Sequence, residues 1–348
     1  MDLQQFLNRP PVREGFPGQE YLRRRLVSKL EGLNNLAIEA HTGWGKQMLL
    51  KDVGFQLLEM NQSFRLFYFN LKQGESISSF LRRFAMELCA STSTPPPQIA
   101  NTAGPDLKLL ELPETIARKR KIKLILFLSN FQIARGFENY SNLLRKCKLC
   151  WRKHLHCAYC LSGTGPYIFK ELFGEIGSPF HGFGRLYLLY KTMNMNCLSY
   201  INSLFLNGHK MIEPHAAKSI SYLTENHLFY LQRLCWHAFI HTDQNCTLAI
   251  VEEAFKNLIC HYDSMFEKQL MGLTQKQFNY LRALIDGTYQ ICSRESLRAY
   301  DLGSSGHVAR IRESLARKGI LEISPSGIQI IDPLFKHSLV RYCQGYTP

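Results

Sequence analysis

Short apolar runs alternate with amphipathic stretches through the first half of the chain. Leu36–Ala40, Phe64–Asn70, Ile122–Ser129, Cys157–Ser162 and Arg185–Tyr190 have the length and the β-branched and aromatic content of strands. The centre of the third run, Lys123-Leu124-Ile125-Leu126-Phe127-Leu128, is almost continuously apolar, as expected of a parallel strand covered by helices on both faces. This rhythm predicts an α/β fold whose ligands sit at the carboxyl ends of the strands. Between Cys89 and Lys108 the segment STSTPPPQIANTAGPDLK excludes regular structure and reads as a surface loop. From about Lys191 to Lys268 the strand signal vanishes and helical patterns such as Leu228–His237 remain, so this stretch reads as an all-helical lid. Beyond Gly272 a helix, a turn and a second helix precede a hairpin signal, Ile320–Ile323 and Ile328–Ile331 around Pro325-Ser326-Gly327, in the order of a winged helix. The predicted organisation is a core over residues 1–190, a lid over 191–270 and a winged helix over 271–348.

The first strand runs directly into His41-Thr42-Gly43-Trp44-Gly45-Lys46-Gln47 and then into an amphipathic helix reaching about Met60. Strand, glycine loop and helix in that order form a phosphate cradle. Glycine lets backbone amides face the anion, the helix start adds its positive dipole end, and a lysine reaches the β and γ phosphates. Gly45 and Lys46 sit correctly for this, and Thr42, Gly43, Trp44 and Gln47 complete the candidate loop. The full G-x-x-x-x-G-K-Ser/Thr pattern would place glycine at Ala40 and a hydroxyl at Gln47, so the match is partial. Trp44 has two readings, a cover over the phosphates or a packing contact with a neighbouring helix. The bland reading of the whole loop is a glycine turn before a helix with a solvated lysine.

A magnesium-dependent enzyme of this type needs a carboxylate at the end of the third strand for the metal and usually a second to activate water. Here stand Ser129 and Asn130, neither of which carries negative charge. With Gln47 in place of the hydroxyl ligand, the metal loses its side-chain partners together. Nucleotide binding without efficient hydrolysis is the expectation, with ATP or ADP as ligand and magnesium doubtful.

Charge adds a second class of partner. The 348 residues carry 42 Lys and Arg against 28 Asp and Glu, a net charge of +14 that attracts acidic polymers. The absence of a long apolar stretch argues against a membrane span, and MDLQQFLNRPPV lacks the layout of a signal peptide, so a cytoplasmic location is expected. Eleven cysteines scattered through apolar segments read as reduced thiols rather than a disulfide framework. The pairs Cys147/Cys150 and Cys157/Cys160 are too close in sequence for a zinc ribbon. Cys157 and Cys160 also fall on opposite faces of a buried strand, so core thiols and no metal are expected.

In their order the motifs resemble those of the Bacteroidetes and archaeal-type AAA-like ATPases of the STAND lineage, over nearly the whole chain. Phe16-Pro17-Gly18-Gln19-Glu20 resembles the family's F-x-G-R-E box beside the adenine pocket, with Gln19 for its arginine. His41–Gln47 resembles the phosphate loop, and Leu128-Ser129-Asn130-Phe131-Gln132 the D-E-F-Q strand end with both acids replaced. Tyr68-Phe69-Asn70-Leu71 is similar to the second strand, where the family often has aspartate at the place of Asn70. Ser162-Gly163-Thr164 resembles a polar sensor beside the γ-phosphate. Asn226-His227-Leu228-Phe229-Tyr230-Leu231-Gln232 is similar to the H-P-Y-Y-x-Q lid helix, and Leu273-Thr274-Gln275-Lys276-Gln277 to the opening of the winged helix. The resemblance implies an ATP-binding core, a lid, a winged helix and a nucleotide-dependent switch. It adds Gly18, Ser162 and His227 to the candidate nucleotide contacts. Five replacements around one pocket point to a pseudo-ATPase.

Three basic features also have bland readings. Arg118–Lys123 is a polyanion contact or a solvated loop, and Arg185 an ion-pair partner or a charge reaching a neighbouring subunit's nucleotide. After an N-cap at Gly303-Ser304-Ser305, Val308, Ile311 and Leu315 make a buried stripe, while His307, Arg310, Ser314 and Arg317 form a face able to meet duplex DNA. Winged helices also dock proteins or self-associate. A nucleotide switch is therefore set against a DNA-binding or scaffold protein with a vestigial phosphate loop.

Overall fold

The computed structural model describes residues 19–97, 107–174, 176–190, 194–324 and 327–345. The chain divides into two compact units, one formed by residues 19–190 and the other containing residues 191–348.

In the first unit the described elements run α1 (Glu20–Glu31), β1 (Leu36–Glu39), α2 (Lys46–Met60), β2 (Phe64–Asn70), α3 (Ile77–Ser91), α4 (Leu112–Arg120), β3 (Lys123–Ser129), α5 (Tyr140–Trp151), β4 (Cys157–Gly163), the short α6 (Pro166–Phe169) and β5 (Arg185–Leu188). The five strands form one parallel sheet in the order β2-β3-β4-β1-β5. Every strand expected from the apolar pattern is present.

The alternation of side chains across the pleat separates two cores. On one face Leu124, Leu126 and Leu128 of β3 join Cys157, Tyr159 and Leu161 of β4, beneath Phe80, Phe84, Ile116 and Trp151 from α3, α4 and α5. On the other face Ile125, Phe127, Ala158 and Cys160 join Leu36 and Ile38 of β1, covered by Leu26 and Leu30 of α1 and Leu49, Val53 and Leu57 of α2. Burial on both faces is why β3 and β4 are apolar at nearly every position.

The basic run at 118–123 is not a loop. Arg118, Lys119 and Arg120 form the last turn of α4, and Lys121 closes it in a left-handed conformation, φ 55°. Cations there oppose the negative end of the helix dipole, which gives the run a local structural reason. Of the loop expected between Cys89 and Lys108, α3 takes the residues through Ser91 and a 3-10 turn begins at Leu107. Residues 98–106 lie outside the described residues.

The second unit contains α7 (Asn194–Asn207), a two-residue strand β6 (Met211–Ile212), α8 (Pro214–Leu223), α9 (Leu228–Ile240), a two-residue strand β7 (Asn245–Cys246) and the long α10 (Leu248–Met271). It continues with α11 (Gln275–Ile285), α12 (Arg294–Ala299), α13 (Ser305–Arg317), a hairpin of β8 (Leu321–Ser324) and β9 (Gly327–Ile330), and α14 (Pro333–Cys343). Thr274 and Gln277 form a capping box at the start of α11, and Ser304 caps α13 by accepting from the His307 amide at 3.3 Å. The closing helix α14 was not expected from the sequence. Asp332 caps it, accepting from the Phe335 amide, and also accepts from the Tyr230 hydroxyl of α9 at 2.7 Å. Ion pairs Lys336–Glu225 and Arg341–Asp263 tie the same helix to the segment before α9 and to α10. No described helix is long and apolar enough to cross a membrane.

Candidate phosphate-binding site

Because all five strands are parallel, their carboxyl ends share one edge, and the loop from His41 to Gly45 leaves β1 there. The loop needs two residues in left-handed conformations. Gly43 (φ 80°) and Gly45 (φ 88°) supply them without the penalty a side chain brings. Gly45 is the N-cap of α2, so the first backbone amides of that helix open beside the loop. Ala40, where the full motif has glycine, is buried and donates its amide to the Gly163 carbonyl of β4 at 3.2 Å, which fixes the loop's root.

Trp44 is only 5% exposed, with its ring edge-on to His41 at 4.6 Å. Its buried indole Nε1 has no hydrogen-bond partner among the described residues. The residue that its ring meets is His41 of the same loop. Thr42 and Gln47 are exposed. Lys46 is partly buried beside the base of the loop, and burial pushes its ammonium down to about 8, opposed by the negative charge of Glu39 and by Cys160. Glu39 is a buried carboxyl at the end of β1, and nothing in the sequence motif had marked it.

The ends of β2, β3 and β4 form a polar row without acids. The Asn130 Nδ2 donates to Asn70 Oδ1 at 2.7 Å, and Asn130 itself is left-handed, φ 57°. The Ser162 hydroxyl approaches Ser129 Oγ at 3.4 Å and the Leu128 carbonyl at 3.5 Å. Gln132 Oε1 accepts from the Thr164 amide at 3.2 Å and fills the space over Gly163, where a Cβ would lie 2.3 Å from it. Arg83 holds the end of β2 in place. It donates to the Asn70 carbonyl, pairs with Glu75 at 2.8 Å and Glu87 at 3.0 Å, and lies over the Phe69 ring. The arginine keeps the Glu75 carboxyl below the usual carboxylate range.

Left-handed glycines, a helix start and a lysine suit an anion. Amides and hydroxyls at Gln47, Ser129, Asn130 and Asn70 offer a hard divalent cation no carboxylate.

The other sequence candidates are dispersed. Gly18 lies outside the described residues. His227 belongs to the second unit, where it is buried at the start of α9 and stacks on Tyr230 at 4.6 Å. Arg185 is exposed at the start of β5 with its guanidinium 5.5 Å from the Tyr187 ring. On α13, Val308, Ile311 and Leu315 are buried as the periodicity required, and Arg310 and Arg317 are exposed, Arg317 in an i,i+4 pair with Glu313. Ser314 does not share that face freely: it is half-buried and bonded to Gln277 Nε2 of α11 at 2.9 Å. His307 is likewise half-buried, and its backbone amide donates to the capping Ser304 hydroxyl.

No protein-family model and no curated protein sequence matches the chain. Solved structures do. A Walker-type ATPase of Pyrococcus abyssi superposes with a TM-score of 0.73 at 13% identity, covering 96% of this chain and 99% of that one. The Aeropyrum pernix ORC2 protein, in ADPNP and ADP complexes, gives 0.67 at 14% identity over 99% and 98% of the two chains. The ORC1 protein of the same organism, solved in complex with DNA, gives 0.58 at 14% identity over 98% and 96%. With its parallel five-stranded sheet and its loop between β1 and α2, the chain has the AAA-like P-loop NTPase fold.

Proposed function

We propose that this chain is a nucleotide-binding regulatory switch that holds ATP or ADP at His41–Gln47 and turns it over slowly or not at all. The observation that carries the reading is the pairing of a partial anion cradle with ends of β2, β3 and β4 that carry no acid. Gly43 and Gly45 are left-handed ahead of α2 and Lys46 stands at its first turn, while Asn130 is spent on Asn70 and Ser129 on Ser162. Lys46 and the first amides of α2 would hold the phosphates. Such a switch works through a difference in the nucleotide's affinity for two states of the chain. The nucleotide complexes of the similarly folded ORC2 protein support this ligand class.

The test is thermal. Ligand at a hundred times its dissociation constant adds about 2.7 kcal/mol, so ATP or ADP should raise the melting temperature, and Lys46→Ala should remove the shift. In the same samples, magnesium-dependent phosphate release should be no faster from the wild type than from Lys46→Ala. A flat thermal response in the wild type would sink the binding reading, and robust turnover abolished by Lys46→Ala would sink the pseudo-ATPase reading.

A second reading is supported by a different observation. The three-helix and hairpin arrangement from α11 to β9 has the winged-helix order, and α13 exposes Arg310 and Arg317 on a strongly basic chain. We infer duplex DNA as its partner, a ligand class supported by the DNA complex of the ORC1 protein. It makes residues 271–348 a reader domain beyond a lid at 191–270, and it is compatible with a phosphate loop that only binds.

A further inference from the structure

Away from the phosphate loop, at the opposite end of β4, the fold brings together soft and hard metal-binding groups from three positions. One ligand atom from each of Glu114, His154 and Cys157 lies within 4.8 Å of the others. Glu114 comes from the first turn of α4, His154 from the segment after α5, and Cys157 is the first residue of β4. Cys150, in the last turn of α5, places its Sγ 3.6 Å from His154 Nε2. That contact is a sulfur–imidazole hydrogen bond, and Cys150 stands outside the group of three.

The surroundings orient the same atoms. His154 Nδ1 lies 2.9 Å from the Tyr159 hydroxyl, and Tyr159 is immobilised by stacking on Trp151 at 4.5 Å. Glu114 is fixed from behind. Its carboxylate accepts from the His156 amide at 3.0 Å and meets the His156 ring at 2.7 Å. An imidazole held by a hydroxyl and a carboxylate held by a backbone amide are the outer contacts that metal ligands characteristically have. Cys160 of the same strand is excluded by the sheet, since it points into the core on the other face.

We propose that Glu114, His154 and Cys157 form a zinc site at the start of β4. One thiolate, one imidazole and one carboxylate select zinc over magnesium or calcium, and the fourth position is left to water. The thiol releases its proton to solvent on binding.

Full-length reduced protein, stripped of metal and titrated with cobalt(II) as a spectroscopic probe, tests this. Binding of one equivalent should produce the intense visible bands of tetrahedral cobalt together with thiolate-to-cobalt charge transfer, and zinc should bleach both. Cys157→Ser should lose the charge-transfer band, and His154→Ala should weaken zinc binding by at least roughly a hundredfold. Tyr159→Phe, which leaves every ligand in place, should weaken it by roughly ten- to a hundredfold. Cys160→Ser should bind as the wild type does. Cobalt bound octahedrally without charge transfer, no binding by the folded wild type, or an equal loss in Cys160→Ser would each overturn the proposal. The wild-type titration decides it even if a cysteine variant does not fold.

Discussion

Lys46 carries more information in the structure than in the motif. Burial lowers its ammonium to about 8, and Glu39 pulls in the other direction. A free lysine titrates near 10.4, so between about pH 8 and 10 the folded chain binds fewer protons than the unfolded one. Lys46 therefore costs stability below pH 8, and that cost is relieved as pH rises through this window. Nucleotide binding has the opposite dependence, because phosphate oxygens bind the charged amine. The thermal shift given by ADP should be full near pH 6.5 and shrink above pH 8, with affinity falling by up to roughly tenfold per unit. Melting curves at pH 6.5, 8 and 9.5 check this. A shift that grows with pH would mean that Lys46 is not the phosphate contact. The lysine was legible from spacing alone, since glycine, lysine and a following helix are local in sequence. Glu39 was not, because a carboxyl at the end of an apolar strand gains meaning only when the strand and α2 are packed together.

Elements were legible where one period dominated and obscure where chemistry depended on distant neighbours. The sheet followed from apolar runs that both-face burial makes continuous. α14 was missed although Asp332-Pro333 is a cap followed by a first-turn proline, and Leu334, Phe335 and Leu339 are its buried side. The metal-binding group was missed for another reason. A search for paired thiols finds Cys147/Cys150 and Cys157/Cys160, whereas the fold takes Cys157 alone and adds His154 and Glu114 from elsewhere. On α13 the periodicity gave the buried stripe correctly but could not show that Ser314 is bonded to Gln277. This distinction yields a prediction for DNA. Arg310→Ala with Arg317→Ala should weaken duplex binding and flatten its dependence on salt by up to about two in the log–log slope, as two phosphate contacts would require. Ser314→Ala should leave the slope unchanged. Measuring affinity at several salt concentrations separates the outcomes, and an unaltered slope in the double variant would remove α13 from the interface.

At the scale of the molecule, the two readings of function differ in how far the effect of nucleotide travels. The phosphate loop and the row of polar strand ends belong to the unit of residues 19–190, while His227, α13 and the hairpin belong to the unit that contains residues 191–348. Each has its own core, and a ligand confined to the loop stabilises only the unit that holds it unless the second unit responds to the same ligand. A switch requires that response, since a ligand shifts an equilibrium only through a difference in its interaction with the two states. We predict that ADP and a non-hydrolysable ATP analogue slow amide exchange in the first turn of α2 and at the ends of β3 and β4. The two ligands should also give different exchange in the segment around His227 and the start of α9, where the sequence resembles a nucleotide-sensing lid helix. Hydrogen-exchange mass spectrometry of the full chain, with Lys46→Ala as the control, reads both regions at once. Protection limited to residues 19–190 and identical for the two nucleotides would leave a chain that binds without signalling, and the regulatory reading would give way to that of a scaffold.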